Sequence, residues 1–292
     1  MNGVLHLAGR NLRLYARDRL GVFFSLLGPL ILLGLYGLFL GRLQTDGLSQ
    51  TLPQADADDI QTFVTSWVFA GVVMITTLTT GLSAVGAFVE DRASGRFADF
   101  RVTPLSRMQL VGGYLLAAFV VAVALSTVVL VIGQVWLLLT AGLFLGWANL
   151  AIALGWIALS SACFAALSGF LAGFLSTTGA FSALSTVMGT VLGFLAGAYL
   201  PPGLLPAAVL NVMNPLPFSQ SAMLIRQPFT EAALEQMTGG QQGAIDAMTE
   251  YYGMRLFVGE FEITTPFAVV ELAGLLVLFA LLGAWRIGRS IR

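Results

Sequence analysis

The sequence predicts an all-α integral membrane protein, with an N-terminal amphipathic helix in the membrane interface followed by six transmembrane helices. Of its 292 residues, 57% are apolar and only 10% are charged, whereas soluble domains have about 25% charged residues. The mean hydropathy is +0.87. Long uncharged runs occupy residues 20–41, 60–89 and 108–225. About 20 apolar residues span the hydrocarbon core of a bilayer, so the last run must fold back on itself.

The first element is predicted to be a helix over residues 1–19 that lies in the interface. Apolar residues recur at three- and four-residue intervals, at Leu5, Ala8, Leu12 and Tyr15. Three arginines occupy the opposite arc, at Arg10, Arg13 and Arg17. This pattern is typical of an interfacial helix, and a simple basic flank of the first span is the alternative. The apolar stretch that follows is too long for a signal peptide, so we expect a retained anchor.

Turn residues divide the longest uncharged run. "TAGLFLG" (140–146) and "STTG" (176–179) predict reversals, and Pro201-Pro202 ends a helix because proline lacks the N–H that a helix needs. The predicted spans lie near 20–41, 63–89, 110–139, 147–175, 180–200 and 267–285. Residues 201–266 are expected to form an external re-entrant segment and loop, in which "TGGQQG" separates two helical stretches, 230–237 and 244–254. Residues 1–292 then form a single transmembrane domain.

The distribution of charge predicts the orientation. All 14 basic residues are arginine. An even number of spans places both termini and the 90–107 loop on one side, and only Arg42, Arg226 and Arg255 fall on the other. The positive-inside rule places the arginine-rich side in the cytoplasm. We therefore expect a multi-pass protein of the bacterial plasma membrane with both termini cytoplasmic.

Several kinds of chemistry are excluded by composition. The chain has no lysine, which an ordinary phosphate-binding P-loop requires. Its one histidine, His6, lies in the N-terminal segment, too far from the membrane interior for an intramembrane Ser/His pair. Cys163 is the only cysteine, so it can form neither an internal disulfide nor a multi-cysteine metal site. The sequence predicts a chain that is not an enzyme and has no cofactor or metal of its own.

The loop "EDRASGRFADFRVTPLSR" (90–107) carries seven charged residues between two apolar runs. Glu90 and Asp91 end the second span, where the helix dipole is unfavourable for acids, so we expect a cationic partner. Phe97 and Phe100 share one face at i, i+3, which predicts a short amphipathic helix. Thr103-Pro104 is predicted to be the N-cap and first residue of the next helix. An ordinary solvated loop is the alternative.

Two motifs resemble the permease subunits of type V ABC exporters. The acidic end of helix two, Gly95, the short helix and "TPLSR" (103–107) are similar to their coupling-helix region. "NPLPFSQSAMLIR" (214–226), which follows "PPGLLP", is similar to their "NP…ALR" element. Arg101 departs from this pattern, since an apolar residue is expected there, and residues 227–266 form a longer external loop than many members have.

The resemblance implies a homodimer of permeases in the lipid bilayer, joined to two copies of a separate ABC ATPase that binds ATP and Mg. The ATPase would push on the coupling helices and alternate the access of a central cavity. The resemblance also implies no nucleic acid partner. The residues it assigns to ATPase coupling are Glu90, Asp91, Arg92, Gly95, Arg96, Phe97, Phe100, Arg101, Thr103, Pro104 and Arg107.

Small and hydroxyl residues suggest where the helices meet. "GFLAG" occurs twice, and with one further glycine it gives a ladder that permits close helix approach, between or within subunits, at Gly169, Gly173, Gly189, Gly193 and Gly197. Two hydroxyl stripes are candidates for a substrate cavity, at Thr76, Thr80 and Ser83 and at Ser182, Thr186 and Thr190. Such hydroxyls also bond to their own helix backbone, and both interpretations stay open.

The predicted function is a permease that exports a hydrophobic or amphipathic compound, such as a drug, an antibiotic or a lipid-like molecule. A polysaccharide or glycolipid exporter is an alternative. An ion-coupled secondary transporter would use a carboxylate inside the membrane. Glu271 is the one candidate, and it lies about 7 Å beyond Pro266 at the helical rise, so we expect an interfacial position.

Overall fold

The structure is a computed structural model that describes residues 2–97 and 106–290. Within these residues six helical segments are long and apolar enough to cross a membrane, which confirms the predicted number of spans. The helices are α1 (Asn2–Arg17), α2 (Arg19–Leu35), α3 (Gly41–Thr51), α4 (Ala57–Ala93), α5 (Arg107–Ala141), α6 (Trp147–Ala172), α7 (Thr178–Leu195), α8 (Ala207–Met213), α9 (Pro217–Thr238), α10 (Gln242–Tyr251) and α11 (Thr265–Ser290).

The first span is longer than its apolar run. A π-helical turn, Tyr36–Leu40, joins α2 to α3, so one continuous helix extends from Arg19 to Thr51. The Asp18 carboxylate caps its start by accepting the Gly21 N–H at 2.9 Å. The Tyr36 hydroxyl donates to the Tyr199 carbonyl at 3.2 Å, which ties the π turn to the end of α7.

Helix α4 is the central element of the bundle. Its most apolar 18-residue window is 89% buried, whereas the corresponding window of α7 is 6% buried and that of α11 is 17% buried. It packs against α2, α5, α6, α7 and α9. The outer helices therefore present most of their apolar surface to lipid or to another chain, and α4 is enclosed by the protein itself.

Helix α5 begins with a capping box. The Ser106 side chain accepts the Gln109 N–H at 3.3 Å, and the Gln109 side chain accepts the Ser106 N–H at 2.9 Å. The described helix therefore starts at Arg107, with Ser106 as its N-cap. Thr103 and Pro104, which the sequence predicts to start this helix, lie outside the described residues.

Residues 201–266, expected to be a re-entrant segment and loop, contain more regular structure than that. A 3₁₀ turn (Pro202–Leu204) and α8 are followed by α9, which is 22 residues long and buried along most of its length. The predicted helical pair is present as the second half of α9 and α10, joined through Gly239 and Gly240 in the left-handed conformation (φ 58° and 73°). A hairpin of β1 (Leu256–Val258) and β2 (Phe261–Ile263) precedes α11.

Arg226, expected among the external charges, is instead buried inside the fold, with 1% of its surface exposed. One terminal nitrogen donates to the Ala196 and Gly197 carbonyls at 3.1 and 2.7 Å, and the other donates to the Gly253 carbonyl at 3.4 Å. The guanidinium carbon is 5.0 Å from the centre of the Trp67 ring. The first two carbonyls follow the end of α7, where the helix dipole presents negative charge. Burial lowers the pKa of Arg226 to about 10, so it remains a cation at neutral pH.

Candidate functional site

A buried polar site surrounds Asp91 at the end of α4. Its carboxylate is 2% exposed and accepts four hydrogen bonds. Arg10 donates through both terminal nitrogens, at 2.6 and 3.0 Å, the Tyr114 hydroxyl donates at 2.6 Å, and Arg96 donates at 3.1 Å. We call Asp91, Arg10, Arg96 and Tyr114 the Asp91 cluster. It joins α1, α4, α5 and the start of the charged loop.

The hydrogen bonds to Asp91 compensate the unfavourable position of its charge at the end of a helix. A carboxylate at a helix C-terminus is repelled by the dipole, and burial adds a desolvation cost. The two-nitrogen contact with Arg10 offsets both, since paired guanidinium–carboxylate bonds are among the strongest in proteins. The expected cationic partner is therefore present within this chain. The hydrogen bond to Asp91 also raises the pKa of Arg10.

Helix α1 reaches Asp91 because α5 has glycines where the two helices meet. A Cβ on Gly113 would lie 2.8 Å from the Leu7 side chain, closer than such atoms pack, whereas one on Gly112 would lie 3.7 Å from Val4. Leu7 is buried in a cluster that includes Phe88 and Tyr114. The N-terminal helix is thus packed against the bundle along one face.

The predicted faces of α1 need a correction. Leu5, expected on the apolar face, is 56% exposed, and Leu7 and Asn11 are buried instead. Arg10, expected on the solvent arc, turns to Asp91. The reason is that the helix packs against protein on one flank, so its buried face follows the surface of α5 rather than the plane of a lipid interface.

Other residues of the charged loop have different roles. Arg92 donates to the Gly173 and Leu175 carbonyls at 3.2 and 3.1 Å, which caps the end of α6. Gly95 turns the chain with φ 78°. Glu90 remains exposed, 3.7 Å from Arg96.

Phe97 is half-buried. Its ring lies 5.3 Å from that of Phe88 and 6.5 Å from that of Tyr114. One of the two aromatic residues assigned to ATPase coupling therefore packs against its own chain. The remaining coupling candidates, Phe100, Arg101, Thr103 and Pro104, lie outside the described residues, as does the side chain of Arg107.

The two hydroxyl stripes differ in exposure. Thr76 and Thr80 are fully buried and donate to the carbonyls four residues back, at 2.7 and 2.6 Å, and Ser83 is half-buried. The second stripe lies on the exposed face of α7, with its threonines bonded in the same way, at Ser182, Thr186 and Thr190. The buried pair cannot line an open cavity in this conformation, and the α7 stripe is the more accessible of the two.

The glycine ladder is used largely within the chain. A Cβ on Gly169 would collide with Leu115, and one on Gly193 would collide with the Tyr199 ring. Gly197 adopts φ 61°, and Gly173 ends α6 as its C-cap. Gly189 has open space around it, so it is the member of the ladder that leaves room for a second helix.

Glu271 is half-buried on α11 and accepts a hydrogen bond from the Gln220 amide at 2.6 Å. Gln220 is fully buried on α9. The carboxylate therefore links two helices of the fold, a contact that the sequence does not reveal because 51 residues separate the partners.

Together these features define a class: an all-α, multi-pass membrane protein in which a charged loop is locked to the N-terminal helix at one end of the bundle. Residues 3–227 match the family model described as ABC-2 type transporter. The chain belongs to that family, and it is a membrane-spanning permease subunit of an ABC transporter. The family implies an ABC ATPase as the partner subunit, which carries the ATP hydrolysis. A search of curated proteins found no match.

Family membership confirms the resemblance seen in the two motifs. It also replaces the ion-coupled alternative, because the energy source of an ABC transporter is ATP. The match ends one residue after Arg226. The second half of α9, α10, the β-hairpin and α11 lie beyond it.

Proposed function

We propose that this permease exports a hydrophobic or amphipathic compound, and that the Asp91 cluster carries the motion of the ATPase into the bundle. The observation that supports the second part is the bonding of Asp91. A carboxylate that accepts four hydrogen bonds from three other parts of the chain resists separation from any of them. A force on the loop at 90–107 would therefore move α1, α4 and α5 together.

Arg92 extends the same connection to α6. Its bonds to the Gly173 and Leu175 carbonyls link the loop to the end of α6, a span in addition to α4 and α5. In this proposal the partner is an ABC ATPase that binds ATP and Mg, present in two copies beneath a homodimer of permeases. The loop and both termini face the cytoplasm of a bacterial cell, as the arginine distribution favours.

The face for the second permease is proposed to be on α7. This helix is the least buried of the six spans, and Val187, Val191 and Phe194 are exposed on it beside the hydroxyl stripe. An apolar surface with interspersed hydroxyls suits both helix packing in lipid and contact with an amphipathic cargo. The cargo class, a drug, an antibiotic or a lipid-like molecule, rests on this uncharged surface.

The test separates coupling from assembly. Arg10→Ala removes the two-nitrogen contact with Asp91. Arg13→Ala is the matched control, because Arg13 is exposed and donates to the Gly9 carbonyl within α1. Both variants are purified with the ATPase in nanodiscs. We expect Arg10→Ala to copurify with the ATPase but to lose most of its substrate-stimulated hydrolysis, while Arg13→Ala keeps it. Equal stimulation of both variants would refute the coupling role.

A further inference from the structure

A second site lies at the opposite end of the bundle. A cavity of about 540 Å³ opens between the first turns of α6, the second half of α9, α10 and the segment before β1. The Asp91 cluster is near the other end of α6, where Arg92 caps it. Much of the cavity wall lies beyond residue 227, outside the part of the chain that matches the family model.

The inner wall of this cavity is apolar. Its apolar lining residues are Ile152, Trp156, Pro228, Leu234, Ile245 and Met254. Trp156 is half-buried, so part of its ring is available to a ligand. A concave apolar surface of this size is typical of small-molecule sites, which add a few polar groups to orient the ligand.

The polar groups at this cavity favour a cation. Glu231 and Glu235 stand one helical turn apart on α9, both exposed, and Asn149 donates to Glu231 at 3.0 Å. Among the described residues neither carboxylate forms an ion pair. Like charges at this spacing repel each other, so a shared cation would stabilise both.

The one arginine in the wall does not reverse this preference. Arg255 is already bonded to both carboxylate oxygens of Glu262, at 2.9 and 3.1 Å, and lies 3.7 Å from Asp246. Two carboxylates thus already compensate the guanidinium charge, while Glu231 and Glu235 line the cavity with no ion pair among the described residues. An anionic ligand would meet a negative field, whereas an ammonium group would be attracted to it.

We infer that this cavity binds an amphiphile with a protonated amine. The ammonium lies between Glu231 and Glu235, and the hydrocarbon part lies against Trp156, Leu234 and Met254. Two sources share this chemistry, a free amphipathic amine and the headgroup of an aminophospholipid. The site is defined by binding alone, so it stands or falls independently of the direction of transport and of the coupling role of Asp91.

The probe is the protonated form of 11-bromoundecylamine, a primary ammonium whose bromine quenches tryptophan fluorescence, and 11-bromoundecanol is its uncharged counterpart. Both are titrated into the purified permease in dodecyl maltoside. We expect saturable quenching by the ammonium compound that Trp156→Phe largely removes. Glu231→Gln with Glu235→Gln should weaken binding about tenfold, the size that two partly exposed ion pairs allow, and added salt should weaken it in the unsubstituted protein.

The matched control is Glu250→Gln, an exposed acid on α10 that does not line the cavity, and it should leave binding unchanged. Glu235→Gln alone provides a milder variant if the double substitution unfolds the protein, which gel filtration checks. Equal binding of the alcohol and the ammonium compound, or no loss in the glutamine variants, would overturn the inference. Displacement by dioctanoyl phosphatidylethanolamine, but not by the matching phosphatidylglycerol, would assign the site to a lipid headgroup, and no displacement by either would assign it to a free amine.

Discussion

Replacing Arg226 by lysine should destabilise the permease severely, although the charge is conserved. The guanidinium reaches three carbonyls in two directions, those of Ala196 and Gly197 after α7 and that of Gly253 before β1. A lysine ammonium is a single point that cannot serve both sides. It would also lose the flat contact with the Trp67 ring.

The magnitude follows from these contacts. A hydrogen bond to a charged group contributes about 1.5–3 kcal/mol, and a buried carbonyl left without a partner costs about 1–3 kcal/mol. With at least one of the two short bonds lost and a strongly hydrated ammonium buried in its place, we expect a loss of about 3–5 kcal/mol. This corresponds to a fall in Tm of roughly 10 °C for a chain of this size.

The assay is thermal unfolding of the purified permease in detergent, followed by gel filtration with fluorescence detection. Arg42→Lys is the matched control, since Arg42 is exposed on α3, and its Tm should stay within about 1 °C of the unsubstituted protein. If Arg226→Lys unfolds at the same temperature as Arg42→Lys, the carbonyl contacts do not stabilise the fold.

Three further predictions concern the two ends of the bundle. Gly113→Ala should lower the free energy of unfolding by about 1–3 kcal/mol through overpacking against α1, and it should reduce ATPase coupling. Gly112→Ala should lower it by less than half as much. Equal Tm values for the two variants would contradict the close approach of α1 to Gly113. Phe97→Ala should lower the free energy of unfolding by about 1 kcal/mol, because the half-buried ring packs inside the chain. It should also weaken copurification of the ATPase. A change in copurification with no change in Tm would mean that the ring contacts only the partner. Arg255 lowers the pKa of Glu262 by hydrogen bonding, so their bond stabilises the β-hairpin above the ordinary glutamate pKa and is lost as pH falls through the lowered value. The amide protection factors over 256–263, which are exchange rates divided into the intrinsic rate at the same pH, should therefore fall in acid, and Glu262→Gln should remove that pH dependence.

The six spans could be predicted because a bilayer imposes a length and a composition on every helix that crosses it. The same criteria of length and composition do not identify α9. This helix is buried by protein on most sides and begins at Pro217 within a proline-rich segment, so it has neither a long apolar run nor an amphipathic period. Its burial became visible only with the packing of α4 and α6 around it.

The polar contacts were harder to predict than the helices. The sequence indicates that Asp91 needs a cation, but not that Arg10 supplies it from 81 residues away. Arg226 illustrates the opposite case, since its position beyond the apolar run suggests a solvated charge. A contact between distant segments depends on how faces meet in three dimensions, which the period of a single helix does not encode.

The π turn at Tyr36–Leu40 has a consequence for the first span. One extra residue in a helical turn rotates every later side chain by about 100° around the axis. The segment before the turn, Arg19–Leu35, is mostly apolar, and after the turn the sequence becomes "GRLQTDGLSQT". The helix can therefore pack its apolar first part and its polar second part against differently oriented neighbours while remaining continuous. Deleting one residue within the turn would restore a regular α-helix and swing Leu48, now buried, away from the core.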